Sequence, residues 1–167
     1  IDSIFLYHPF YKYPIYNLNK IGAVSISRID YDKHTDILLK TNKLLKQNNL
    51  DIIKIYGSKN DRYVFRNLKD LDSMDKNDNQ SAYYGKFDKS FESINKILQD
   101  KKYVIDLSQI KFDGSGSRYT FLEAIYQNCV LIIDKKWLKG ENDIFINNLN
   151  CLTVEKPEDI YQILSND

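Results

Sequence analysis

The sequence carries no excess of charge of either sign, with 24 Lys plus Arg against 23 Asp plus Glu. It therefore lacks a global basic footprint for nucleic acid or for an anionic membrane, and any basic site must be local. No nucleic-acid partner is expected. Cysteine is scarce as well. Cys129 and Cys151 form no CxxC pair, and neither of the two histidines has a metal-binding companion. Spacing therefore gives no metal site, and reduced thiols in a cytoplasmic protein are the plain reading. No apolar run approaches the roughly 20 residues that span a bilayer. Ile1 to Phe10 lacks the basic start and long apolar middle of a signal peptide. The chain reads as soluble.

What is present is enough apolar material for one core. With 43% hydrophobic residues over 167 positions, the chain can fill one domain and falls short of two. Short β-rich runs alternate with longer amphipathic ones, the pattern of βα units around a parallel sheet. Strands are expected at Ala23 to Ser27, Ile52 to Tyr56, Ala82 to Tyr84, Tyr103 to Leu107, Val130 to Ile133 and Leu152 to Val154. Helices are expected at His34 to Lys46, Asp61 to Leu71, Phe91 to Leu98, Tyr119 to Gln127 and Glu158 to Leu164. Asp72 to Ser81 is polar and reads as a mobile surface loop. The fold class is thus α/β, a doubly wound Rossmann-like parallel sheet with helices on both faces. The aromatic opening, broken by Pro9 and Pro14, suits an extended connector. Residues 1–20 are read as that connector and residues 21–167 as the domain.

Open parallel sheets bind ligands beyond the carboxyl ends of their strands. Four such junctions carry chemistry. Arg28 ends the first strand and Lys33 opens the next helix, two cations able to hold a diphosphate. Gly57 and Gly85 directly follow strands, where glycine allows a tight turn or a close backbone approach to a ligand, and Lys86 and Phe87 come next. The fourth junction, Asp113-Gly114-Ser115-Gly116-Ser117-Arg118, is a Gly/Ser loop opening a helix. Its free amides and the helix dipole favour an anion, and Arg118 in the first turn either meets the same anion or is a plain exposed arginine. Asp30-Tyr31-Asp32 imitates a metal-binding Asp-x-Asp pair but lies inside the Arg28 to Lys33 turn, and is discounted. His34, at a helix start, is read as a cap or a surface residue, with approach to phosphate as the other reading, and Trp137, Cys129 and Cys151 as packing residues.

Arg28 with Lys33 five residues later, Gly57, Gly85, and the loop that leads into Leu122-Glu123-Ala124 resemble the family 4 (group 1) retaining glycosyltransferases of the GT-B fold. The resemblance covers Ala23 to the C-terminus. It implies the C-terminal, nucleotide-sugar-binding half of such an enzyme, with Arg28 and Lys33 on the donor diphosphate and Glu123 on the ribose hydroxyls. Gly57 and Gly85 to Phe87 would line the base pocket, and the amides of Gly114 to Ser117 would meet the leaving group. The family's first carboxylate stands eight positions before the helix glutamate, where this chain has Ser115. Either Asp113 takes its role after a two-residue insertion, or the role is lost. Where the family's helix ends in glycine this one ends at Asn128, the next best residue for a left-handed cap.

The resemblance further implies a hexosyltransferase-like enzyme that needs no metal or other cofactor, with the donor as substrate. A missing N-terminal domain would hold a sugar, lipid or protein acceptor, so the isolated piece would be inactive alone. Peripheral association of the full-length protein with the inner membrane face is compatible with this. The competing readings are a nucleotide-sugar epimerase or hydrolase of the same fold, and a non-catalytic nucleotide-binding module. A generic flavodoxin-like domain is the third, and it requires Arg28, Lys33 and Glu123 to diverge in space.

Overall fold

The computed structural model describes residues 19–109, 119–138 and 145–166. Five strands form one sheet: β1 (Ala23–Ile26), β2 (Lys54–Tyr56), β3 (Tyr103–Asp106), β4 (Val130–Asp134) and β5 (Leu152–Val154). Their order is β2-β1-β3-β4-β5, and every neighbouring pair is parallel. The chain runs outward from β1 to β2, then returns past β1 to lay down β3. That reversal leaves a crevice at the carboxyl ends of β1 and β3, where open α/β sheets take their ligands.

Sequence periodicity decides which side chains meet on each face. All four residues of β1 and all four of β3 are buried, as expected of strands covered on both sides. Successive residues point to opposite faces. Ala23, Tyr103, Ile105 and Ile132 meet Leu38, Leu39 and Leu45 of α1 (Thr35–Gln47) and Ile160 of α5 (Pro157–Ser165). Val24, Ile26, Val104, Leu131 and Ile133 meet Leu98 of α3 (Phe91–Leu98) and Phe121 and Ala124 of α4 (Tyr119–Tyr126). The doubly wound arrangement with helices on both faces is therefore present. Helix α2 (Asp61–Tyr63) starts on an Asn60 cap, whose side chain accepts from the backbone of Arg62 at 3.1 Å and Tyr63 at 3.3 Å. It continues as a wider π-turn, Val64–Leu68, that drops Leu68 into the core. The helix expected to run to Leu71 thus stops at Leu68.

Three further expectations change. Ala82 to Tyr84 is no strand. It makes one parallel bridge to Ile55, and beyond Tyr84 the chain turns at Gly85, whose φ of 95° breaks the extended course. The loop from Asp72 to Ser81 is anchored. Met74 is buried in the core, and the Asp72 carboxylate accepts from the backbone of Ala82 at 3.2 Å. Of the two plain roles read for His34, the cap is not made: it takes a left-handed conformation ahead of α1 with no side-chain cap. The helix cap at Asn128 is present, with φ 57° and the Cys129 amide donating to the Ala124 carbonyl at 2.9 Å. Of the connector, residues 1–18 lie outside the described residues. The Lys20 ammonium caps α3 on the carbonyls of Leu98, Gln99 and Lys101. No helix among the described residues is long and apolar enough to cross a membrane.

The joint between α1 and the start of β2 depends on one side chain. Asn42 is 2% exposed; its amide donates to the Ile53 carbonyl at 3.0 Å and its oxygen accepts from the Ile53 amide at 2.8 Å. Asn42→Ala would strand both backbone groups away from water. A loss of about 3 kcal/mol in urea unfolding is expected, and a loss below about 1 kcal/mol would contradict this account.

Candidate functional site

A cavity of about 620 Å³ opens at the carboxyl ends of the strands. This is within the usual range for small-ligand pockets, roughly 300–1,000 Å³. Five separate stretches of chain build its wall. Ile26, Ser27, Arg28 and Lys33 come from the end of β1 and the approach to α1, and Gly57 with Ser58 follow β2. Lys86, Phe87 and Lys89 precede α3, while Asp106 closes β3 and Tyr119, Thr120 and Glu123 lie on α4. Arg28, Lys33, Gly57, Lys86, Phe87 and Glu123, which the sequence nominates separately, thus share one cavity.

Gly85 lies one layer behind the wall. Its carbonyl accepts from the Gly57 amide at 2.9 Å, so it supports Gly57 without lining the cavity. Asp113, Gly114, Ser115, Gly116, Ser117 and Arg118 lie outside the described residues.

The reason for glycine at position 57 is close approach. A Cβ there would fall 1.8 Å from the Ser27 carbonyl oxygen. The Gly57 carbonyl in turn accepts from the Tyr83 hydroxyl at 2.9 Å. Burial, followed by the charge of Asp61, pushes the Tyr83 phenol above its ordinary value of 10.0. It therefore stays protonated, and a donor, through the neutral range.

The two cations differ in setting. Arg28 has 60% of its side chain exposed and sits between two acids of its own turn, Asp30 at 3.6 Å and Asp32 at 3.4 Å. Asp30 also accepts from Asn60 at 2.9 Å, so the Asp-x-Asp pair braces the Arg28 turn and the head of α2. Exposed ion pairs of this kind are weak and yield readily to a doubly charged phosphate group. Lys33 is half-buried, and its ammonium donates to Ser108 Oγ at 2.7 Å. His34, the next residue, meets Gln109 across 2.8 Å.

Glu123 is 5% exposed and Asp106 is 3% exposed. A surface-helix role for Glu123 is excluded by that burial. Asp106 was missed in the sequence because it reads as the fourth residue of an apolar run, Tyr-Val-Ile-Asp. Its place at a strand's carboxyl end is the signal that points to it. Around these acids stand Arg28, Lys33, Lys86 and Lys89, so the described wall is net cationic and suits an anionic ligand with a few fixed acceptors. Trp137 packs edge-on to Phe121 and Phe145 and donates its indole N–H to the Ser108 carbonyl at 2.8 Å. Cys129 and Cys151 are buried free thiols.

No protein-family model matches the chain, and no curated protein matches it in sequence. Solved structures do resemble it. One is the C-terminal domain of a glycosyl transferase group 1 family protein, LpcC, from Francisella tularensis. It is 19% identical with a TM-score of 0.60, over 89% of this chain and 76% of that one. A second is Anabaena HepE, solved with UDP and glucose, at 13% identity and TM-score 0.61; the match covers 89% of this chain and 38% of that protein. A third is the pneumococcal O-GlcNAc transferase GtfA, solved with UDP and GlcNAc, at 18% identity and TM-score 0.55, over 86% of this chain and 27% of that protein. The chain thus spans well under half the length of the two longer proteins. At these identities the likeness establishes the fold, the doubly wound Rossmann-like sheet of the C-terminal half of a GT-B structure.

Proposed function

We propose that this domain binds the nucleoside-diphosphate sugar donor of a retaining glycosyl transfer, and that a separate domain of the same protein holds the acceptor. The observation that carries the reading is the convergence of Arg28, Lys33, Gly57 and Glu123, from distant parts of the chain, on one cavity at the strand ends. The known structures of the same fold add support, since two of them contain UDP with a sugar.

The physical task is to stabilise a leaving group. As the anomeric carbon–oxygen bond breaks, negative charge grows on the diphosphate. Fixed cations aimed at that charge lower the barrier more than they tighten the ground state. Lys33 and Arg28 supply them from the two sides of one turn, and the amides of Gly114 to Ser117 belong to the same proposal, as does Asp113 on the sugar. Glu123 takes the ribose hydroxyls, because a carboxylate is a double acceptor. Lys86 and Phe87 border the base. Cationic side chains do the work that a metal does in other transferases, so no metal enters the scheme.

Calorimetric titration with uridine, guanosine and adenosine diphosphates tests the assignment. One of the three is expected to bind, with affinity unchanged by EDTA and reduced about tenfold by Arg28→Ala. The matching nucleoside without phosphates should bind wild type and variant equally. If none of the diphosphates binds, or if Arg28→Ala weakens the bare nucleoside as much as the diphosphate, the reading fails.

A further inference from the structure

Two acids line the cavity among the described residues, and the donor scheme gives a task only to Glu123. Asp106 is the more deeply buried and ends β3. A carboxylate taken out of water needs partners that donate to it. Asp106 Oδ1 accepts from both the backbone amide of Ser108, at 2.9 Å, and the Ser108 hydroxyl. A serine hydroxyl has one proton to give, and here it goes to Asp106. Towards Lys33, 2.7 Å away, the same oxygen can therefore only accept.

The chain of bonds runs in one direction, from the Lys33 ammonium to Ser108 to Asp106. Ser108 cannot drift, because it is 8% exposed and its carbonyl receives the Trp137 indole N–H at 2.8 Å. The lysine stem is otherwise flexible, with a compact charge at the end of four carbons. Holding one of the three ammonium protons on Ser108 leaves two for a ligand in the cavity.

We infer that Asp106, acting through Ser108, is a positioning residue that fixes the aim of the Lys33 ammonium towards an anion in the cavity. In the direction of that aim the inference rests on the diphosphate reading above. That Lys33 is held at all does not depend on it. Catalysis gains because an ammonium already in place costs no reordering when charge appears on the leaving group.

The test uses inorganic pyrophosphate as the probe, so that base and sugar contacts play no part. Ser108→Ala and Asp106→Ala are each expected to weaken pyrophosphate binding about tenfold. In a Lys33→Ala background neither should change it further, because the lysine they position is gone. Asp106→Asn keeps an acceptor for Ser108 and should retain most of the affinity. Equal losses with and without Lys33 would mean a merely structural role and would overturn the inference. A second readout is NMR of the 15N-labelled lysine ammonium groups, with Lys33 identified by its absence in Lys33→Ala. Its signal should be sharp and slowly exchanging in wild type and lost by averaging in Ser108→Ala. If wild type binds no pyrophosphate, the diphosphate reading falls and this spectrum alone decides. A Lys33 ammonium as mobile in wild type as in Ser108→Ala refutes the positioning.

Discussion

Gly57→Ala is expected to destabilise the domain by about 4 kcal/mol, an unusually large effect for the addition of one methyl group. The added Cβ would lie 1.8 Å from the Ser27 carbonyl oxygen and 2.8 Å from its carbon. Both are backbone atoms, so no side-chain rotation can relieve the overlap, and either β1 or β2 must move. Their ends are joined through the Ser27 amide on the Tyr56 carbonyl at 3.1 Å, and Arg28 is the next residue. Any relaxation therefore displaces one wall of the cavity as well as the sheet. Gly22→Ala is the matched control. Gly22 has φ 65° with nothing within 4 Å of its would-be Cβ, so only the left-handed backbone penalty of about 1 kcal/mol applies. Urea unfolding of the two variants should separate them by about 3 kcal/mol in stability. Similar midpoints and slopes would refute the steric account of the β1–β2 junction.

That junction also shows where sequence reading succeeds and where it stops. Glycine after a predicted strand signals that a side chain is excluded, and at Gly57 the excluding atom is the Ser27 carbonyl. The same signal at Gly85 has a different cause, a turn with φ 95° that ends the pairing beside Ile55. Local pattern cannot tell these apart, because the deciding neighbour is remote in sequence. The parallel sheet was legible because its strands are nearly unbroken apolar runs separated by amphipathic ones. Arg28 and Lys33 were legible because chain order alone puts them at a strand end and a helix start. Ala82 to Tyr84 was overread, since Gly85 turns the chain away after a single bridge, Tyr83 to Ile55, before a ladder can form. Asp106 and Ser108 were missed because the bonds that link Lys33 to Ser108, 75 positions away, and Ser108 to Asp106 exist only in the fold. The bracing of Arg28 by Asp30 and Asp32 needed coordinates, because sequence shows only that the three share one turn.

Glu123→Ala is expected to cost the largest share of donor affinity, about 100-fold for the nucleoside diphosphate that binds. The estimate takes two hydrogen bonds to a charged acceptor at about 1.5 kcal/mol each, the low end for such bonds. Burial is what lifts Glu123 above an ordinary surface carboxylate. At 5% exposure it has little competing water, and it lies on the first two turns of α4 on the side that faces the cavity. A ribose offers adjacent 2′ and 3′ hydroxyls, and one carboxylate can accept from both. The 2′-deoxy form of the same nucleotide lacks one of those donors, so wild type should bind it about tenfold more weakly than the ribose form. Glu123→Ala should bind the two forms within about twofold, because the group that distinguishes them has been removed. The comparison separates recognition from damage. A distorted cavity would lower both affinities and keep their ratio, whereas loss of a ribose acceptor lowers the ribose form more and brings the ratio towards one. Glu123 already engages neighbours within the protein, so unfolding of the variant must be followed in parallel. Ratio and stability together decide whether Glu123 serves the ligand or only the fold.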